Sequence, residues 1–249
     1  MGNLSEIRNG RFTSSEVYKL IKKGRGSAEF SAPALTYIEE KAIERRLKSG
    51  LDSSSYSRPM AWGNFMEAVA LERLNLEELG YVLKSDETQT HPDIELGENW
   101  CGTSDYEFYD ASGEMQFISE LKCYQKKKFA QYTDVILKQD VELLKEKFPQ
   151  EYWQAVSNGI INEVDEVEVV SFMPMDKDFA YIQDKASNYE GADAWKYRYI
   201  YEEEMRNLPF LNSEGDYKSL NRFRFKIPKE DSAYLESRIE LASSLLATI

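Results

Sequence analysis

Met115-Gln116-Phe117-Ile118-Ser119-Glu120-Leu121-Lys122-Cys123-Tyr124 reads as a β-strand. Successive strand residues point to opposite faces, so Phe117, Leu121 and Cys123 look one way while Ile118, Glu120 and Lys122 look the other. An acid and a lysine two residues apart thus emerge side by side. Upstream, Trp100 to Tyr109 reads as a second strand, joined to the first by a turn at Asp110-Ala111-Ser112-Gly113, a hairpin whose loop is longer than two residues. On that strand Asp105 shares a face with Cys101 and Thr103.

Working outward, residues 63–79 read as a helix that ends before Gly80. It sets Glu67 in register with Ala70, Leu71 and Leu74, so that its carboxylate faces inward. A buried charge without a partner costs several kcal/mol, so a Glu there calls for a cation, a donor or a proton. Nearer the N-terminus, Thr13 to Lys23 reads as a short helix with Thr13-Ser14-Ser15-Glu16 as a capping box and Gly24 as its stop. A second helix starts near Pro33, with Leu35, Ile38 and Ala42 on one side and Lys41, Arg45, Arg46 and Lys48 elsewhere, and a Ser-rich loop, Asp52 to Pro59, ends it. Beyond the basic run Lys126-Lys127-Lys128, helices are expected at Asp134 to Lys147 and Pro149 to Ile161. The last third holds a strand near Val167 to Met173, an aromatic alternation Trp195-Tyr197-Tyr199-Tyr201, another strand at Phe223 to Ile227, and a C-terminal helix with Leu235, Ile239, Ala242 and Leu246 along one side. The expected fold is α/β, a central mixed sheet flanked by helices.

Composition bounds the function. A chain of 249 residues with 42% hydrophobic content and no Pro/Gly-rich linker reads as one domain, 1–249. No apolar run approaches the roughly 18 residues of a membrane span, and the N-terminus resembles neither a secretory signal nor a transit peptide, so a soluble, cytoplasmic protein without membrane partners is expected. The formal charge of -13 excludes coating nucleic acid by overall attraction, so any DNA contact must be local. His91, the single histidine, excludes a site of two imidazoles. Cys101 and Cys123 read as small buried hydrophobes on neighbouring strands.

Phosphodiester hydrolysis needs a nucleophilic water and relief of the charge that develops on the phosphate, and divalent metal ions supply both. Magnesium prefers carboxylate oxygens and is usually held by one or two of them plus substrate phosphate, so Asp105 and Glu120 suit it, and Mn²⁺ is a substitute. Lys122 on the same face as Glu120 would position or deprotonate the attacking water and offset charge. Glu-x-Lys alone recurs by chance in so charged a chain. Its placement in a strand, one hairpin after an Asp and with an inward Glu on the preceding helix, gives it weight.

From Ile7 to Asn162 the chain resembles the phage lambda exonuclease and YqaJ-type viral recombinase family of PD-(D/E)XK nucleases. The likeness rests on Arg8-x-Gly10-x-x-Thr13-x-Ser15-Glu16-Val17, Trp62-Gly63-x-x-x-Glu67, Ser104-Asp105, Glu120-Leu121-Lys122-Cys123 and Tyr152-Trp153-Gln154. Ser104 departs from the Pro many members carry before the Asp. The resemblance implies a nuclease core at about 7–175 closed by C-terminal strands and a helix at about 176–249. It implies metal ligation by Glu67, Asp105, Glu120 and the Leu121 backbone carbonyl, with Lys122 as the catalytic lysine and Gln154 completing the site. It also implies that Arg8 and Ser15 grip a DNA phosphate, a role that free N–H groups at a helix start around Ser15 would support. The activity implied is digestion of linear double-stranded DNA from the 5′ end, leaving 3′ tails for a single-strand annealing protein in phage-type recombination, by a ring-shaped homo-oligomer. Two other readings stay open: a PD-(D/E)XK endonuclease of another family, which would cut closed circles, and a non-catalytic acidic DNA mimic or interaction protein. An iron–sulfur nuclease needs four cysteine ligands, and the chain has 2.

Overall fold

Alternation along residues 115–122 builds the centre of the molecule. The computed structural model describes residues 4–51, 56–77, 80–85 and 87–249. In chain order the strands are β1 (Phe12–Thr13), β2 (Tyr81–Lys84), β3 (Gln89–Thr90), β4 (Trp100–Gly102), β5 (Tyr106–Tyr109), β6 (Met115–Lys122), β7 (Glu166–Phe172) and β8 (Leu220–Lys226). The helices are α1 (Leu4–Arg8), α2 (Tyr18–Ile21), α3 (Ala32–Leu47), α4 (Arg58–Glu77), α5 (Ile94–Gly97), α6 (Lys126–Ile136), α7 (Val141–Lys147), α8 (Pro149–Ile161), α9 (Phe179–Ser187), α10 (Ala194–Glu202) and α11 (Lys229–Leu246).

A five-stranded mixed sheet runs β2-β5-β6-β7-β8 and a three-stranded one β1-β4-β3. Only β6 and β7 pair in parallel within the larger sheet, and such a pair needs a long crossover, here α6 to α8. Ile118, Val167, Val169, Phe223 and Phe225 pack one face of the larger sheet in a core shared with α8 and α11. Phe108, Phe117, Leu121, Val170 and Phe172 pack the other, under α4 and α10. Glu120 pairs with Val169 and stands on the Ile118 face, a carboxylate inside an apolar layer.

Several expectations need correction. The strand expected over Trp100 to Tyr109 is two strands in different sheets: Trp100 and Cys101 pair with Phe12 and Thr13, whereas Tyr106 pairs with Ser119. One extended segment cannot serve both partners, so the chain bends through Thr103, Ser104 and Asp105, and Asp105 does not share a strand face with Cys101. The helix at Thr13 to Lys23 shrinks to α2 because Thr13 is taken into β1. Its hydroxyl meets Ser15 Oγ (3.3 Å) and Tyr37 Oη (3.5 Å), and Glu16 pairs with Lys19 (2.6 Å), so the capping box does not form. On α3, Leu35 is exposed and Lys41 is buried, because Lys41 Nζ pairs with Glu44 (2.9 Å) while Glu44 accepts the Gly10 N–H (2.8 Å).

Residues 52–55 of the Ser-rich loop and residues 78–79 at the expected helix end lie outside the described residues, and α4 already begins at Arg58. Asp134 to Lys147 is broken at Gln139, whose φ is 54°, and α7 restarts where Asp140 accepts the Leu143 N–H (3.0 Å). The aromatic alternation lies on helix α10, where three-residue spacing buries Tyr197 and Ile200 together. The C-terminal helix buries the expected Leu235, Ile239, Ala242 and Leu246. Among the described residues no helix is long and apolar enough to cross a membrane.

Candidate active site

The bend between the two sheets delivers Asp105. Its N–H donates to Ser119 O (3.2 Å), and its Oδ2 accepts the Leu121 N–H (2.7 Å) where a longer β5 would have offered a carbonyl. The N–H and C=O of one strand residue point to the same edge, so the Leu121 carbonyl also looks toward Asp105. β6 next presents Glu120, wholly buried, with Oε1 accepting from the Asn158 side-chain amide. Glu120 Oε2 is buried without a hydrogen bond, and Lys122 Nζ lies 3.7 Å from it.

Burial, reinforced by the charge of Asp105, pushes the Glu120 carboxyl well above the usual carboxylate range. Burial alone would lower Lys122, but Asp105, Glu120, Glu151 and Glu67 outweigh it and hold the ammonium above the usual lysine range. Lys122 is therefore a cation here, suited to offsetting phosphate charge. Glu67 sits at the margin of the apolar stripe of α4, not in its middle: Met66, Ala70 and Leu74 are buried, while Glu67 is partly exposed and pairs with Lys84 Nζ at 3.0 Å. Burial and then Asp105 raise its carboxyl, with Lys84 and Lys122 opposing. The backbone carbonyl of Glu67 accepts from the Tyr106 hydroxyl (2.5 Å), which ties α4 to β5.

A cavity of about 250 Å³ gathers Glu67, Asp105 and Gln154 with Arg8 and Ser15. Arg8 Nη2 donates to Thr103 Oγ1 at 2.8 Å. Of the N–H groups expected to be free near Ser15, those of Glu16 and Val17 are used, both donating to Thr13 O (2.8 and 3.0 Å). For an anion the cavity offers the Ser15 hydroxyl and the Arg8 guanidinium. The basic run is also used differently: Lys128 Nζ pairs with Glu151 (3.0 Å) and lies 3.8 Å from the centre of the Tyr124 ring.

Lys84, Glu151 and Asn158 join these groups without a motif that marks them in the sequence. Asn158 was findable, because it follows Gln154 by four and Glu151 by seven, one face of a helix. Lys84 was not, since an exposed lysine on an edge strand is ordinary.

For a metal ion, the donor set fits in part. Among the described residues no three His, Cys, Asp or Glu side chains are gathered closely enough to hold one together, so the expected three-carboxylate sphere is not assembled, Glu67 being engaged by Lys84. Asp105, Glu120 Oε2, which accepts no hydrogen bond but faces Lys122, and the Leu121 carbonyl are hard oxygens of the kind magnesium uses.

Solved structures share this architecture. The alkaline exonuclease LHK-Exo of Laribacter hongkongensis is similar at a TM-score of 0.62 and 15% identity, over 97% of this chain and 90% of that one. Its complex with dAMP gives 0.64 at 15% identity, over 98% and 92%. A phage-related exonuclease from Haemophilus somnus 129PT gives 0.61 at 14% identity, over 96% and 94%. The chain has the fold of these exonucleases. The likeness is one of fold and runs through the C-terminal third, where the sequence resemblance stopped. No protein-family model matches the sequence, and no curated protein does. Within this fold, the bend at 103–105 opens on the cavity that Arg8 and Gln154 line, while Glu120 and Lys122 stand behind Asp105 and do not line it.

Proposed function

We propose that this chain is a metal-dependent exonuclease that degrades linear double-stranded DNA from the 5′ end and leaves 3′ single-stranded tails. The observation that supports it most is the placing of Glu120 and Lys122 beside Asp105, which lines a cavity together with Arg8 and Ser15. Asp105, Glu120 and the Leu121 carbonyl would hold Mg²⁺ or Mn²⁺, with Glu67 joining once it releases Lys84. When bound, the ion makes a water nucleophilic at neutral pH and offsets charge on the phosphate. Lys122 adds a fixed positive charge beside the scissile group, and Gln154 orients it from α8. Arg8 and Ser15 grip the terminal 5′-phosphate, which sets the end from which digestion starts.

The fold likeness and the sequence resemblance point the same way, and dAMP, found with LHK-Exo, is the kind of mononucleotide that stepwise digestion releases. We further propose a ring-shaped homo-oligomer whose tailed product passes to a single-strand annealing protein. Linear duplex labelled at each end in turn, with and without Mg²⁺, tests the core of this. Metal-dependent release of the 5′ label first is expected. Cutting of a closed circle would point instead to an endonuclease, and no digestion with either metal would favour the non-catalytic acidic protein.

A further inference from the structure

Asn158 sits on α8 with no exposed surface, and its amide faces two acceptors. One hydrogen goes to Glu120 Oε1 and the other to Thr103 O at 3.0 Å, so both hydrogens are used. Reversing the amide would set its oxygen against two oxygens, so the orientation is forced. The amide oxygen is left buried without a donor, a cost the fold carries for the sake of those two bonds. It lies against Gly102. A side chain on Gly102 would collide with Asn158 Oδ1 and with Ser14 Oγ, so only a glycine lets the amide reach across. Ser157, next along α8, bonds Ser14 Oγ (2.7 Å) and accepts from Trp100 Nε1 (2.9 Å), which pins the helix to the small sheet without touching Glu120.

We propose that Asn158, admitted by Gly102, is a positioning residue that fixes the Glu120 carboxylate and the bend carrying Asp105 in one mutual geometry. One amide thus ties β6 to the sheet-switching turn, and the two carboxylates meant for the ion cannot drift apart. The inference rests on the exonuclease reading and adds a residue to it. With Oε1 occupied by Asn158, Oε2 is the oxygen left for a cation.

The test follows thermal stabilisation by Mn²⁺ alongside kcat and KM on 5′-phosphorylated linear duplex. Asn158→Leu keeps the branching at Cγ, in a bulkier side chain, and removes the donors. It should raise the Mn²⁺ concentration at half-maximal stabilisation by about 10- to 100-fold and lower kcat similarly, with KM for DNA unchanged, the usual cost of losing a residue that orients a metal ligand. Gly102→Ala should move the Mn²⁺ midpoint the same way, whereas Ser157→Ala should lower stability and leave the midpoint in place. Should Asn158→Leu fail to fold, Asn158→Ser, too short to reach Glu120, takes its place. Parental midpoints and kcat in the folded Asn158 variant would overturn the proposal while leaving the exonuclease reading intact. A parent that neither responds to Mn²⁺ nor digests DNA would remove both.

Discussion

Asp105, Glu120 and Lys122 are mounted on or beside β6, whereas Glu67, Lys84, Arg8 and Ser15 reach the same region from a helix, an edge strand, a five-residue helix and a turn. On the strand side, backbone bonds and the buried Asn158 amide decide where each group sits. At the rim, side chains hold one another, and the Lys84–Glu67 pair is 43% and 27% exposed. An ion pair so placed is worth about 0–1 kcal/mol, while stranding a buried donor or acceptor costs about 1–3 kcal/mol. The strand side is therefore preset and the rim exchangeable: Glu67 can leave Lys84 for another cation at little cost, but Glu120 cannot leave Asn158. Preorganised charge on one side and adjustable grip on the other suit a site that must pass a polymer through one phosphate at a time.

The sharpest way to break this comparison is to remove a preset group. Lys122→Ala or Asp105→Ala should cut metal-dependent label release by about 10²–10³-fold or more, with unchanged circular dichroism. Full activity in either variant would defeat the assignment of the strand side. At the rim the effect should be smaller and selective. The parent should prefer 5′-phosphorylated over 5′-hydroxyl ends, and Arg8→Ala should erase that preference, a loss of about tenfold from one charge-assisted contact. Equal rates on both ends in the parent would remove Arg8 and Ser15 from the site. Smaller still, Lys84→Met should free Glu67 and lower the Mn²⁺ midpoint by about two- to fivefold, the range an exposed ion pair allows. An unchanged midpoint would mean that the rim is as fixed as the strand side.

How much of this was legible in the sequence follows the same division. Glu120 and Lys122 could be paired from spacing alone because a strand has a strict period of two, and the buried face of the C-terminal helix followed from a period of 3.6. The sheet switch at Thr103 to Asp105 could not, since it exists only because Phe12, far away along the chain, claims Trp100 while the hairpin partner Ser119 claims Tyr106. Lys41, which the sequence sets apart from the apolar side of its helix, is buried for a related reason: its partner Glu44 is buried because the Gly10 N–H needs an acceptor, a demand set by tertiary contact. Trp195 to Tyr201 shows how alternation misleads when helix spacing also fits two of its residues. The helix period puts Glu67 inward with Ala70 and Leu74, but the buried stripe runs one position away through Met66, which is the difference between a core and a cavity wall.

The mildest test separates the two sides by proton affinity. Burial first and Asp105 second raise the carboxyl of Glu120, and the same causes raise that of Glu67, where Lys84 opposes them. A carboxyl raised by folding holds its proton more tightly in the native chain than in the unfolded one. Its contribution to stability is thus full below the ordinary value of 4.5 and is lost as pH rises through the native value. Lys122, held above its own range, titrates beyond this window, and Glu151, held below the carboxylate range, acts on its acid side. With no divalent ion added, the melting temperature should therefore fall between about pH 5 and about pH 8, and Mn²⁺ should reverse the fall by binding the deprotonated form. Glu120→Gln should flatten the metal-free slope more than Glu67→Gln, since Glu120 is wholly buried and Glu67 has a lysine at hand. If Glu67→Gln flattened it more, the preset side would lie on α4 rather than on β6, and the comparison would have to be turned round.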